Sequence, residues 1–451
     1  MDLCKKCITF AALLLLVLLF IFNLPANAIE EPSKGQIITA IDFDDVLKKA
    51  KEHSYDLKIA DYETMIAKTG IISARSEYFP KLTANIGTEY NKSFNDNNFM
   101  TTSVGDAFIN PYTRYQSVIG ISLSYNVFDF GIRRNRLDMA KEDTALKELQ
   151  EKQALQELEL NLVDIYTKIL ISKNQIENNN KILTLKEKNL EYTKRLYQAK
   201  EIAKTELDSA NLEVLKTKKQ ILELSQILSE SLNWLSFYTG ESYDINNLKI
   251  SNIKDDGYNL NQYCDYTKSI IWKIYDSELK KKDLEYKIVK KNNYPKVMAY
   301  SKYYLYGSDY SSYNDNLSEI EPSSFSVGAN AYMPVFDGFQ NSANIKKASL
   351  ELQQLNIKRD KAIAEWMTRI ATLKSNFLYL DEQIKKNEEI IQKLNEKEKT
   401  NQRLYSKRII NPMELNNAKI ELLEEINEIT KNKTTAISIA KGVSILTGSE
   451  L

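Results

Sequence analysis

The chain is short of the residues that interrupt regular structure. Of 451 residues only 13 are glycine and 8 are proline, about 3% and 2% where roughly 7% and 5% is usual. That scarcity excludes a loop-rich enzyme and leaves long unbroken elements. Histidine is scarcer still. His53 stands alone, which excludes His-ligated metal sites and His-based catalytic triads. No Gly-rich phosphate loop or nucleophile motif is present, so neither catalysis, metal nor cofactor is expected. Neither sign of charge is in excess: 61 basic residues face 61 acidic ones, and the basic footprint of a nucleic-acid binder is missing. Cysteine is limited to Cys4, Cys7 and Cys264. Beyond Phe22 no apolar run approaches the roughly 18 residues of a transmembrane helix.

The N-terminus has what the rest lacks. Lys5 and Lys6 precede an apolar run from Ile8 to Phe22, followed by Leu24-Pro25-Ala26-Asn27-Ala28. A basic region, an apolar region and an A-x-A site describe a cleavable secretory signal over residues 1–28; an uncleaved anchor helix is the competing reading. Cleavage removes Cys4 and Cys7 and leaves Cys264 without a partner for an internal disulfide. An exported chain of this kind can enter a membrane only through β-strands.

What fills the chain is a tandem repeat. A shift of 208 residues places Phe128-Asp129 on Phe336-Asp337, Arg195-Leu196-Tyr197 on Arg403-Leu404-Tyr405, Glu206-Leu207 on Glu414-Leu415, and Thr239-Gly240 on Thr447-Gly448 without a gap. Upstream the shift is 215, matching Tyr78-Phe79-Pro80-Lys81 to Asn293-Tyr294-Pro295-Lys296. The expected division is a first repeat over 29–240, a linker or equatorial segment over 241–260 and a second repeat over 261–451.

Each repeat alternates two periodicities. After each F-D motif, apolar residues recur at spacings of three, four and seven, as at Leu155, Leu158, Leu162, Ile165, Ile169, Ile176, Leu183 and Leu190, and again from Ile363 through Trp366 and Ile370 to Leu394. That is a coiled-coil seam. Residues 132–199 contain neither proline nor glycine and predict a rod of roughly 100 Å. The return helices, Thr205–Tyr238 and Met413–Leu446, are half as long, so Ile41–Phe79 and about Asn261–Asn293 must cover the rest. The charged runs Lys280–Asp283 and Lys385–Glu389 read as solvated helix faces.

Before each rod the period changes to two. Leu82, Ala84 and Ile86, then Ile119, Ile121 and Leu123, then Phe325, Val327 and Ala329 alternate with small or polar residues. These segments predict hairpins at about 81–127 and 296–335, joined by polar loops at Asn91–Thr113 and Gly307–Ser323. Tyr294, Tyr300, Tyr303, Tyr304, Tyr306, Tyr310 and Tyr313 suggest an interfacial aromatic girdle. Strands with one apolar and one polar face suit a membrane barrel, although a soluble hairpin would alternate in the same way. Four strands cannot close a barrel, and lipid tolerates no open edge, so a barrel requires several chains.

These landmarks resemble the TolC family of outer-membrane efflux channels over nearly all of the mature chain. The resemblance rests on Pro80 and Pro295 before the strands and on the strand–helix motifs Asn126-Val127-Phe128-Asp129-Phe130-Gly131 and Pro334-Val335-Phe336-Asp337-Gly338. It rests also on Leu-Tyr-x8-Glu-Leu-x-x-Ala at each tip and on Thr-Gly after each return helix. It implies an α + β membrane protein: a homotrimeric β-barrel in the outer membrane, four strands per chain, continuing into a periplasmic α-helical barrel. Such a duct passively exports what an inner-membrane pump supplies, and a periplasmic adaptor docks at its tip.

The resemblance also assigns the tip. Tyr197, Glu206, Tyr405, Glu414 and Asn417 would close or line the periplasmic entrance, and Lys200, Ile202, Arg408 and Ile410 would meet the adaptor. The sequence departs from the family at four of these positions. Lys200 and Arg408 replace the tip glycines, Asn417 stands where a second acid is usual, and Ile410 stands where an arginine is usual. Glu206 and Glu414 read equally as first-turn acids favoured by the helix dipole, and Ile202 and Ile410 as packing between neighbouring tips. A structural periplasmic coiled-coil protein that never enters the outer membrane is the alternative to a duct.

Overall fold

The computed structural model describes residues 37–38, 40–92, 103–104, 107–108, 114–243, 248–253 and 265–448. The expected signal peptide, Cys264 and most of the 91–113 loop lie outside the described residues. In chain order the elements are β1 (Ile37–Ile38), β2 (Ala40–Ile41), α1 (Phe43–His53), α2 (Tyr55–Ser76), β3 (Lys81–Tyr90), β4 (Ser103–Val104), β5 (Ala107–Phe108), β6 (Tyr115–Phe128), α3 (Ile132–Gln198) and α4 (Lys204–Thr239). They continue with β7 (Ser242–Tyr243), β8 (Lys249–Ile250), α5 (Ile270–Lys290), β9 (Lys296–Asp309), α6 (Tyr313–Ser318), β10 (Glu321–Tyr332), α7 (Gln340–Ser406) and α8 (Pro412–Thr447). The two rods, α3 and α7, have 67 residues each, as the run free of glycine and proline predicts. Among the described residues no helix is long and apolar enough to cross a membrane.

The helices form a sheet-like layer in a fixed lateral order. In the half next to the strands the order is α2–α3–α5–α7; in the half next to the tips it is α4–α3–α8–α7. The strands follow the same order, β3–β6–β9–β10, with every neighbouring pair antiparallel. Thus α3 lies inside the layer and α7 lies at its edge. The seam residues Leu158, Leu162, Ile165 and Ile169 of α3 are buried, whereas on α7 only Trp366 and Ile370 of the expected seam are. The two rods share a sequence pattern but have neighbours on different numbers of sides.

Strand register sorts the side chains into two faces. Ala84, Ile121, Tyr303 and Phe325 lie in one row across the sheet, and Thr83, Ser122, Lys302 and Ser326 lie in the next row on the opposite face. The tyrosines therefore do not make one girdle. Tyr303 belongs to the apolar face, while Tyr300 and Tyr304 lie on the polar face over Gly328 and Gly120, where a Cβ would come within 2.6 Å and 2.4 Å of them. Tyr294, Tyr310 and Tyr313 fall beyond the ends of β9. The expected loop over 307–323 is largely regular structure as well, because β9 runs to Asp309, α6 follows, and β10 starts at Glu321.

Within the expected linker or equatorial segment over 241–260, β7 and β8 pair in parallel with β1 and β2. One other expectation changes. The run Lys280–Asp283 is not simply solvated: Lys281 pairs with Asp143 of α3, and Lys282 pairs with Glu351 of α7 at 3.1 Å. Charges on a helix caught between two neighbours find partners on both.

The main apolar cluster sits at mid-length, where α1, α3 and α4 meet these short strands. Phe43, Val46, Leu162, Tyr166, Ile169, Leu232 and Leu235 are buried together. The Tyr166 hydroxyl donates to the carbonyl oxygens of Ser251 at 2.8 Å and Ile41 at 3.2 Å. Burial, reinforced by the charge of Asp42, holds its phenol above the usual tyrosine range. Tyr166→Phe keeps the ring but removes the donor to the Ser251 carbonyl oxygen, while that of Ile41 keeps the Ser251 amide at 3.1 Å, so we expect a loss of about 1 kcal/mol in urea unfolding, with packing otherwise retained.

Candidate functional site

Two regions carry the residues singled out in the sequence: the strand–helix junctions and the tips. At the first junction Pro80 separates α2 from β3, and Phe128-Asp129 ends β6. The Asp129 carboxylate accepts from the Gly131 amide at 3.1 Å, the Arg133 amide at 3.1 Å and Arg133 Nε at 3.0 Å. Arg133, itself buried, also donates to the Val127 carbonyl oxygen at 3.2 Å and lies over the Tyr78 ring. At the second junction Pro295 immediately precedes β9, Phe336 is exposed, and Asp337 accepts from the Asn341 amide at 2.9 Å. Both aspartates thus cap a rod. Both junctions also take two consecutive residues through positive φ: Phe130 and Gly131 at 57° and 81°, Gly338 and Phe339 at 65° and 69°.

The tips close with the same backbone motif in both repeats. At the end of α3 the Lys200 amide donates to the Tyr197 carbonyl oxygen at 3.0 Å and the Glu201 amide to that of Leu196 at 2.9 Å. At the end of α7 Arg408 donates to Tyr405 at 2.9 Å and Ile409 to Leu404 at 3.0 Å. These are the paired bonds of a Schellman cap, whose reversal residue is usually glycine. Here Lys200 and Arg408 occupy it with φ of 62° and 58°. The missing glycines therefore leave the turn intact at a local cost.

The remaining tip residues separate by environment. Tyr197 and Tyr405, next to last in their helices, are 40% and 43% exposed. Glu206 and Glu414 are exposed in the first turns of α4 and α8. Glu414 is committed locally: its amide donates to Asn411 Oδ1 at 2.9 Å and its carboxylate accepts from Asn411 Nδ2 at 3.1 Å. Ile202 and Ile410 are half-buried. The reversal at Arg408 instead leaves Ile409 outside, at 64%.

Asn417 leads to residues the sequence reading missed. Asn189 of α3 donates to Asn417 Oδ1 at 2.9 Å and accepts from Asn416 Nδ2 at 2.8 Å. Eleven residues away on both helices, Asn178 donates to Asn427 Oδ1 at 2.8 Å. A neutral amide seam therefore joins α3 to α8 near the tip; of its members Asn189 is buried, and a buried amide selects a register. The signal was an asparagine beside the expected seam leucine, Asn189 next to Leu190. In the adjoining cleft, hydrogen bonds from Lys216 and Lys186 hold the Glu213 carboxyl below its ordinary range. Because only the αL backbone makes the caps costly, Lys200→Gly and Arg408→Gly should each stabilise their turn by about 1 kcal/mol. Native-state hydrogen exchange of the last-turn amides measures this as slower exchange.

Comparison with known proteins follows this geometry closely. The fold superimposes on CmeC, an outer membrane channel of Campylobacter jejuni, with a TM-score of 0.75 at 14% identity, covering 95% of this chain and 93% of that one. VceC, an outer membrane protein of Vibrio cholerae, gives 0.73 at 15% identity over 90% and 96% of the two chains. CusC gives 0.73 at 14% identity over 94% and 98%. Identities this low speak for the fold alone. No curated protein matches the sequence. The model of the outer membrane efflux protein family matches residues 46–241 and 277–448, most of the chain and both repeats. The chain belongs to the outer membrane efflux protein family.

Proposed function

We propose that three copies of this chain join edge to edge into one passive export duct, a β-barrel in the outer membrane continued by a helical tunnel in the periplasm. The observation that carries this reading is the match between its two open sides. Among the described residues β3 pairs only with β6 and β10 only with β9, so the outer backbone groups of both edge strands lack ladder partners. Lipid does not tolerate such an edge. The four strands alternate in direction, so β10 of one copy meets β3 of the next in antiparallel fashion. Three copies of four strands make a closed barrel of twelve. The exposed Phe128, Phe336 and Phe339 suit the inner membrane–water boundary.

The helical layer supports the same assembly. On α7 the residues Leu350, Ile357, Ala364, Ala371 and Leu378 recur every seven positions and are all exposed. On the opposite edge Ile59, Tyr62 and Ile66 of α2 and Leu215, Leu222, Trp234 and Phe237 of α4 are exposed too. Two unpartnered coiled-coil seams on opposite edges form a head-to-tail interface that closes into a ring.

In this duct Tyr197, Glu206, Tyr405, Glu414 and Asn417 surround the periplasmic entrance. Lys200, Ile202, Arg408 and Ile410 face a periplasmic adaptor that links the tip to an inner-membrane pump, in a tripartite efflux or type I secretion system. Ile357→Glu places a charge in the α7 seam. It should convert a crosslinkable outer-membrane trimer into monomers while far-UV circular dichroism stays helical. A wild-type chain found as a soluble monomer or dimer after membrane fractionation would instead support the structural coiled-coil alternative.

A further inference from the structure

Strand register sorts the charges of the sheet in a way that the balanced composition hides. The polar face is lined mainly by serine, threonine, asparagine and glycine, and its charged side chains separate by height. Lys81 shares a row with Ser124, Tyr300 and Gly328, and Lys302 shares the next row with Thr83, Ser122 and Ser326. Lys296 lies opposite Tyr332, at the end nearest the helices. The carboxylates of this face, Glu89 opposite Gln116 and Glu321 opposite Tyr306, lie towards the far end. Among the described residues the four rows from Met298 to Tyr304 hold no carboxylate.

Lipid does not account for these lysines. A lysine that reaches for headgroups stands on the apolar side of a strand, whereas Lys81 and Lys302 stand opposite the row of Ile121, Tyr303 and Phe325. Lys81 is exposed and forms no ion pair among the described residues. Lys302 is flanked on its own face by Tyr300 and Tyr304, with its Nζ 5.3 Å from the Tyr300 ring. Both rings lean over a glycine of the neighbouring strand, Tyr300 over Gly328 and Tyr304 over Gly120. A larger residue at either glycine would push its tyrosine off the wall. With the rings laid aside, the cations border open space.

Resting on the duct proposed above, we infer that the barrel lumen selects anionic cargo, and that Lys81 and Lys302 set this selectivity. In a membrane barrel the polar face is the wet lumen. Three chains bring six lysines into one belt, its two rows roughly 7 Å apart. A belt of one sign between low-dielectric walls gathers counter-ions and repels ions of its own sign. Cargo bearing a carboxylate, sulfonate or phosphate group crosses this belt with a favourable interaction, and a cationic cargo meets a barrier. Because the belt is in water, its field weakens as salt shortens the screening length.

The test uses the full mature chain in nanodiscs of zwitterionic lipid and two probes of matched size, pyrenesulfonate and its trimethylammonium twin. Fluorescence anisotropy reads their binding without requiring an open tip, and empty nanodiscs give the lipid background. The wild type should bind the sulfonate about tenfold more tightly than the twin at low salt, and the preference should shrink at high salt. Lys81→Gln/Lys302→Gln should lose most of that preference, and Lys81→Glu/Lys302→Glu should reverse it. In planar bilayers under a potassium chloride gradient, the glutamate variant should shift the reversal potential towards potassium selectivity. Equal binding of both probes, binding of neither, or a preference untouched by the glutamine variant would overturn the inference. So would a reversal potential that the glutamate variant leaves unmoved; for a trimer that passes no current, the anisotropy decides alone. Crosslinking of the same samples separates the two proposals. A wild-type trimer without charge preference sinks only the selectivity, whereas a wild-type chain that does not trimerise sinks the duct and its lumen together.

Discussion

The bare edges of β3 and β10 are the constraint around which this chain is arranged. A strand's outer amides and carbonyls need partners, and among the described residues the four-stranded sheet supplies them only to its inner strands. The helices repeat the problem with side chains, since the layer is one helix thick and exposes apolar seams at both edges. Because strands and helices keep the same lateral order, one neighbour can satisfy both kinds of edge at once. That coincidence makes edge-to-edge assembly the economical solution.

Duplication supplies the parts, and position makes them different. The rods α3 and α7 have equal length and matching caps. Yet among the described residues α3 is flanked on both sides along its whole length, while α7 has neighbours on one side only. Tyr166 and Leu162 are fully enclosed on α3, whereas heptad positions on α7 stay open. One ancestral pattern thus serves as both an internal spine and an external seam.

Strain is concentrated where the chain reverses or changes period. The non-glycine residues with positive φ among the described residues are Phe130, Lys200, Phe339 and Arg408, two per repeat, at the ends of the rods. At the junctions an aspartate cap and, in the first repeat, a buried arginine hold the backbone in place. At the tips the Schellman bonds do so alone, and the reversal residue's side chain is left free to face outward.

Most of the fold was legible in the primary structure because its signals are local and long. The rods follow from the lack of glycine and proline over 132–199, the strands from period two, and the duplication from an unbroken shift of 208. The tips were legible as positions, down to Lys200 and Arg408, but not as environments. Helical periodicity names the side of a rod that packs without saying how many neighbours it meets. Hence α7 reads like α3, Asn189 hides beside Leu190, and Ile410 rather than Ile409 reads as the residue that meets a partner. Only the packed layer decides these matters, because burial, amide pairing and the split of the tyrosines across β9 depend on residues more than a hundred positions away.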